Sequence, residues 1–128
     1  MAKSSEVPAS LRRWFVVHFW ADMLFAVPLF VAPAWFLGLC GWTAVDPVTA
    51  RLVAAALFGI GIQSLLGRDE SQGAFRAMLN LKCIWSGAAL LGFAVSLAQG
   101  APPMTWAFVV VFAGFATVWN TYRVRLGP

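Results

Sequence analysis

The chain has 128 residues, of which 61% are hydrophobic and only 11% are charged, and its formal net charge is +4. Soluble domains are nearer half apolar and a quarter charged, so this composition excludes an ordinary water-soluble domain and indicates a membrane protein. The basic residues flank the apolar stretches in ones and twos, which is not the dense basic patch of a protein that binds nucleic acid.

Four apolar stretches are long enough to cross a bilayer, which takes roughly 20 helical residues. They cover residues 11–32, 47–66, 75–98 and 103–122. The connections between them are too short to hold a second domain. The sequence therefore predicts an all-α fold, in which residues 1–128 form a single domain, an antiparallel bundle of four transmembrane helices.

The first predicted helix contains Pro28. We expect a kink there, because proline removes one backbone hydrogen bond and clashes with the preceding turn of the helix. The following residues, 33–46, are rich in tryptophan and phenylalanine. They predict an outer segment that lies along the lipid headgroups, with Trp35 and Trp42 as its anchors.

The second predicted helix begins at Asp46 and Pro47. An aspartate can cap the free amides of a helix, and proline suits the first helical position. Gly67 is expected to end this helix in a left-handed conformation. Small residues at four-residue spacing, such as Ala55 and Gly59, predict a face that packs closely within the bundle. No internal repeat is evident in the sequence.

Lysine and arginine are unevenly distributed about the predicted spans. With four crossings, Arg51 falls on one side of the membrane and all other basic residues fall on the opposite side. These are Lys3, Arg12, Arg13, Arg68, Arg76, Lys82, Arg123 and Arg125. Because cytoplasmic loops collect Lys and Arg, the sequence predicts a multi-pass protein of a prokaryotic cytoplasmic membrane, with both termini and the loop 67–74 in the cytoplasm. Membrane lipids are its predicted partners.

Polar residues inside the spans concentrate in the predicted cytoplasmic half. His18 and Asp22 are one helical turn apart and therefore share a helix face. At 1.5 Å per residue, they lie roughly 8 Å and 14 Å deeper than Arg13. The side chains of the other helices at matching depth complete a candidate buried polar site, which consists of His18, Asp22, Gln63, Asn80, Lys82 and Asn120.

Asp22 is the member of this set that most needs an explanation. A charged aspartate at mid-membrane costs roughly 2.5–3.5 kcal/mol, so it is expected to face the protein interior, pair with another group or take up a proton. The residues leave two roles open, a structural pair with Lys82 or His18 and a functional site for a proton, a cation or a small amphiphile. Lys82 has a further alternative, in which its long side chain extends to the membrane surface.

The chemistry of an enzyme is poorly represented in this sequence. The spans contain one His, one Asp and one Cys, whereas a zinc or di-iron site needs three or four such ligands. No phosphate-binding loop or dinucleotide motif is present. The sequence therefore predicts a non-enzymatic protein without a metal or a cofactor.

The layout of four short spans, with Asp22 in the first and Trp85 in the third, is similar to that of the small multidrug resistance transporters. This similarity of layout implies proton-coupled transport of a small molecule. The charge distribution departs from that family, because its dual-topology members keep their basic residues balanced between the two sides. An antiparallel dimer is therefore not expected.

A second resemblance covers most of the chain. The segments LRRWFVVHFWADMLFAVPLF, DPVTARLVAAALFGIGIQSLL, FRAMLNLKCIWS and WNTYRVRL together resemble small uncharacterised prokaryotic membrane proteins with four spans. That resemblance implies the fold and the membrane location, but no activity. Three functions remain open: a non-enzymatic protein with a cytoplasm-facing polar site, a proton-coupled transporter or channel subunit, and an accessory subunit of a membrane complex. We also expect self-association or a partner chain.

Overall fold

The computed structural model describes residues 6–128, and this part of the chain is all-helical. It contains five α-helices, a single 3-10 turn at Gly67–Asp69 and no strand. The helices are α1 (Ala9–Val31), α2 (Pro33–Leu39), α3 (Pro47–Leu66), α4 (Gln72–Ala98) and α5 (Thr105–Arg125). The predicted all-α class is confirmed. Lys3, one of the residues used to predict the topology, lies outside the described range.

Four of these helices, α1, α3, α4 and α5, are long and apolar enough to cross a membrane. They indicate a multi-pass membrane protein, as the composition predicted. Helix α3 has the predicted ends. Helix α4 begins at Gln72, three residues before the predicted span, because Ser71 caps it by accepting a hydrogen bond from the amide of Ala74 at 3.3 Å. Helix α5 begins two residues later, after a turn closed from the amide of Thr105 to the carbonyl of Pro102.

The two ends of α3 differ in how well the sequence predicted them. At the start, the carboxylate of Asp46 accepts hydrogen bonds from the amides of Val48 and Thr49 at 3.1 and 3.3 Å, and Pro47 is the first helical residue. At the end, the prediction for Gly67 is wrong. Its φ is −85°, so the chain continues from α3 into the 3-10 turn without a left-handed residue.

The predicted outer segment begins with a short helix. Pro28 lies inside α1, which continues to Val31, and the backbone leaves the helical conformation at Ala32, where φ is −140°. Pro33 then begins α2. The ring of Phe36 in α2 packs edge-on against Phe25 in α1, with 5.5 Å between their centroids. This aromatic contact attaches the short helix to the long one.

The described chain consists of two compact units. The first, the α1–α3 unit, covers residues 9–69, and its two long helices are antiparallel. The second, the α4–α5 unit, covers residues 70–128 together with residues 6–8, and its two helices are also antiparallel. The single-domain organisation stays a prediction of the sequence.

An arginine closes one end of each helix pair. In the α1–α3 unit, Nη1 of Arg12 donates to the carbonyl of Arg68 at 2.6 Å. In the α4–α5 unit, Nη2 of Arg76 donates to the carbonyl of Leu126 at 2.9 Å. The last carbonyls of a helix have no partner within it, so in both units the first helix supplies a donor to the end of the second.

Measured from these arginines, the two units share four buried positions in their first helices, and α1 buries Ala26 and Leu29 as well. The shared positions fall one residue before the arginine and three, six and ten residues after it. In α1 they are Leu11, Phe15, His18 and Asp22, and in α4 they are Phe75, Leu79, Lys82 and Ser86. The structure therefore shows a common register that the sequence does not make evident, because the residue types differ at nearly every position.

Candidate functional site

The α1–α3 unit contains a buried acid–imidazole pair. His18 and Asp22 are each only 6% exposed, and Nε2 of His18 lies 3.4 Å from Oδ1 of Asp22. Both residues belong to α1, where a four-residue separation brings their side chains onto one face. The predicted burial of both residues is confirmed, and His18 is a partner of Asp22 within this unit.

Helix α3 approaches Asp22 at Gly61. A Cβ atom added to Gly61 would lie 2.8 Å from Cβ of Asp22 and 3.1 Å from its Oδ2, and 3.0 Å from Cε of Met23. Atoms of real side chains do not come so close, so only glycine allows the two helices this separation. Gly61 could not be predicted from the sequence, because one glycine among many small residues in an apolar helix is not a specific signal.

The close-packing face predicted for α3 is on the wrong side of the helix. Ala55 and Gly59 are exposed, and a Cβ at Gly59 would meet nothing within 4 Å. The buried face instead carries Ala50, Ala54, Leu57, Gly61 and Ser64. The hydroxyl of Ser64 donates to the carbonyl of Ile60 within its own helix at 2.7 Å. Small residues occur on both faces of α3, so their spacing alone does not distinguish the two.

The α4–α5 unit contains a buried lysine on an aromatic ring. Lys82 is 2% exposed, and its Nζ lies 4.9 Å from the centroid of the Trp119 ring, a distance typical of a cation–π interaction. Ser86, one turn further along α4, donates to the carbonyl of Lys82 at 2.8 Å. The alternative in which Lys82 extends to the surface does not hold. The sequence did not predict the contact with Trp119, since this ring is one of seven tryptophans in the chain.

The remaining three candidates are not buried. Gln63, Asn80 and Asn120 are all exposed, so their predicted burial is wrong. The amide of Asn120 donates to the carbonyl of Ala116 in its own helix at 2.8 Å, and Oδ1 of Asn80 accepts from Nε of Arg123 at 2.5 Å. Depth along a helix follows from the residue number, but which side of the helix faces its neighbour does not.

The candidate site therefore consists of two polar centres, each described within its own unit. The first is the acid–imidazole pair of His18 and Asp22, and the second is the contact between Lys82 and Trp119. The pairing of Asp22 with Lys82 stays a prediction of the sequence. Among residues 6–128, no group of three or more His, Cys, Asp or Glu side chains comes together in a way that could hold a metal ion.

Comparison with protein-family models, with curated proteins and with solved structures gave no match. The chemistry of the two centres is therefore what points to a function. A carboxyl group and an imidazole can pass a proton between them. A lysine ammonium on an indole ring carries a charge but offers no acceptor for a proton or a cation. Of the two centres, the acid–imidazole pair is the one suited to bind a ligand.

Proposed function

We propose that this chain is a small, non-enzymatic, multi-pass membrane protein that binds a proton at the buried His18–Asp22 pair. The observation that supports this proposal is the 3.4 Å distance between Nε2 of His18 and Oδ1 of Asp22, two buried side chains of the apolar helix α1. Ionisable residues within transmembrane helices are rare, and they commonly belong to proton relays and ion pathways. A pair that holds one proton between a base and an acid avoids leaving an isolated charge in an apolar environment.

The geometry favours a proton over the other two ligands that the sequence left open. A metal cation of ordinary size takes six or more oxygen ligands, or three to four His, Cys and carboxylate ligands, whereas this pair supplies two side chains. On the side of Asp22 that faces α3, a methyl group at Gly61 would already overlap with the aspartate. That side therefore has no room for the chain of an amphiphile. A proton needs neither additional ligands nor additional volume.

The activity that we propose for this pair is proton-coupled flux across the membrane. The decisive experiment compares the wild type with Asp22→Asn in liposomes that contain a pH-sensitive dye. We expect a proton flux in the wild type and none in Asp22→Asn, with similar thermal stability in detergent. Asp69→Asn is the matched control, since the Asp69 side chain is 79% exposed and lies in the 3-10 turn that follows α3; its flux should equal that of the wild type.

An accessory, structural role is the outcome that contradicts this proposal. In that case neither the wild type nor Asp22→Asn shows a flux, and Asp22→Asn loses much of its thermal stability because the pair only holds α1 in place.

Proton binding itself can be measured separately with a hydrophobic carbodiimide, which modifies protonated carboxyl groups. Of the acidic residues, Asp22 alone lies within a predicted span. We expect mass spectrometry to find the modification at Asp22, with a yield that falls as the pH rises.

We further propose that the protein lies in a prokaryotic cytoplasmic membrane with both termini in the cytoplasm. The unequal distribution of basic residues supports this orientation. Cys40, directly after α2, then lies at the outer surface. In a Cys83→Ser background, a membrane-impermeant maleimide should label Cys40 in intact cells. Labelling only after the cells are opened would show that Cys40 lies on the cytoplasmic side and that the orientation is the opposite of the proposed one.

Self-association in the membrane is the last part of the proposal. Many large apolar side chains are exposed on the long helices, among them Leu24, Leu52, Leu91 and Val110. Lipids or another chain must cover these side chains. Light scattering of the purified protein in detergent, corrected for the bound detergent, distinguishes a monomer from a homo-oligomer.

A further inference from the structure

We propose that Gly61 is a positioning residue for the His18–Asp22 pair, which means that the proposal rests on the function proposed above. The carboxylate of Asp22 has His18 on one side, one turn earlier in α1, and the backbone of α3 on another side, at Gly61. Because Gly61 has no side chain, α3 comes close enough to restrict where the carboxylate can point. The neighbouring helix, and not the acid alone, then determines the distance between Oδ1 and Nε2.

Gly61 differs from the other helical glycines of the described chain. A Cβ atom would meet nothing within 4 Å at Gly38, Gly59, Gly87, Gly92 and Gly114. At Gly61 it would come within 3.1 Å of three atoms, two of which belong to Asp22. The absence of a side chain therefore has a structural reason at Gly61, and Gly59 offers a matched control on the same helix.

The contact with Asp22 is difficult to relieve. Cε of Met23 is the end of a flexible side chain and can move away. Cβ of Asp22 is attached directly to the backbone of α1, so an alanine at position 61 must separate the two helices or turn one of them about its axis. Once α3 no longer restricts the carboxylate, its side chain can rotate, and its distance to the imidazole of His18 changes.

The single histidine of the chain makes this change measurable. Protein with 15N-labelled histidine, purified without a histidine tag and reconstituted in lipid, gives imidazole signals from His18 alone. Their chemical shifts report the proton and the hydrogen bond of each ring nitrogen. Four chains are compared: the wild type, Asp22→Asn, Gly61→Ala and Gly59→Ala. We expect the His18 signals of Gly61→Ala to move toward those of Asp22→Asn, and those of Gly59→Ala to match the wild type.

The outcomes separate this proposal from the proposed function. If Gly61→Ala matches the wild type while Asp22→Asn does not, the pair exists and Gly61 does not position it. If Asp22→Asn also matches the wild type, the protonation and hydrogen bonding of His18 do not depend on Asp22. That result contradicts both the proton-binding pair and this proposal. Equal shifts in Gly61→Ala and Gly59→Ala would show a general response of α3 to alanine, which also overturns the specific role of Gly61.

A second measurement covers the case in which Gly61→Ala is poorly folded. The same substitution is made in an Asp22→Gly background, where the two Asp22 atoms that lie within 3.1 Å of a Cβ at position 61 are absent and only the flexible end of Met23 remains. We expect Gly61→Ala to lower the unfolding temperature in the wild-type background and to change it little in the Asp22→Gly background. An equal decrease in both backgrounds would mean that Asp22 is not what Gly61 accommodates, and would overturn the proposal.

Discussion

The α1–α3 unit and the α4–α5 unit place different chemistry at the same positions. Six residues after the arginine that closes each pair is His18 in one unit and Lys82 in the other, and ten residues after it is Asp22 or Ser86. The partner helices differ even more. In each unit the arginine donates to a carbonyl near the end of the second helix. The residue seven positions before that carbonyl is Gly61 in the first unit and Trp119 in the second, and both are buried.

The polar groups of the two units therefore meet facing residues of very different size. A glycine brings two backbones together, which suits a short aspartate that needs a neighbour on its own helix. At the bulky Trp119, the long side chain of Lys82 extends over the indole ring. The first unit therefore contains a pair that can exchange a proton, and the second contains a charge held on an aromatic face.

The largest loss of stability is expected when the buried ring of Trp119 is removed from the α4–α5 unit. Trp119→Ala removes a ring that is 1% exposed and leaves both a cavity and an ammonium without its aromatic face. We expect a loss of about 3–5 kcal/mol in the free energy of unfolding, measured by denaturant titration in detergent. Trp106→Ala, on the same helix but 60% exposed, is the control. Equal losses would mean that the ring of Trp119 has no special role in packing.

A double-mutant cycle measures the contact between Lys82 and Trp119 itself. Lys82→Met and Trp119→Leu, alone and combined, should reveal a coupling of about 1–2 kcal/mol, the range for a desolvated cation–π pair. The control cycle pairs Lys82→Met with Trp106→Leu. Trp106 lies about 20 Å along α5 from Trp119, so these effects should add. If the effects of Lys82→Met and Trp119→Leu also add, the contact stabilises the unit through packing and not through electrostatic attraction.

A smaller effect tests whether the two arginines are equivalent. Arg12→Gln and Arg76→Gln each remove a charged donor from the end of the partner helix, at a cost of about 0.5–1 kcal/mol for partly exposed groups. Hydrogen exchange should become faster at residues 66–69 in the first variant and at 125–128 in the second. Arg13→Gln, at an exposed position beside Arg12, should leave both segments unchanged. A response in only one unit would break the proposed equivalence.

The smallest effect concerns the start of α3. The hydroxyl of Thr49 and the amide of Val48 donate to the carboxylate of Asp46, and these hydrogen bonds lower its pKa. A lowered pKa in the folded state means that the cap contributes its full stability above about pH 3.9, the pKa of an unfolded aspartate, and loses it as the pH falls through the lower folded value. Amide exchange at Val48 and Thr49, corrected for its intrinsic pH dependence, should therefore become less protected in acid. In Asp46→Asn this dependence should disappear.

Much of the fold followed from local patterns in the sequence. The apolar stretches predicted four long helices, and the dipeptide of Asp46 and Pro47 predicted where α3 begins. His18 and Asp22 were predicted to share a face because four residues make about one helical turn. These features depend on residues that are close together in the chain, and a single sequence is sufficient to recognise them.

The faces that the helices turn toward each other were decided only by the tertiary structure. In a soluble protein, the buried face of a helix can be recognised because it carries the apolar residues. The long helices of this chain are apolar on nearly every side, so the distribution of apolar residues does not indicate which face is buried. Gly61 was therefore not distinguished from Gly59, and the polar side chain of Gln63 was assigned to the interior. In an apolar environment the fit between small and large side chains selects the buried face, and that fit depends on residues far apart in the sequence.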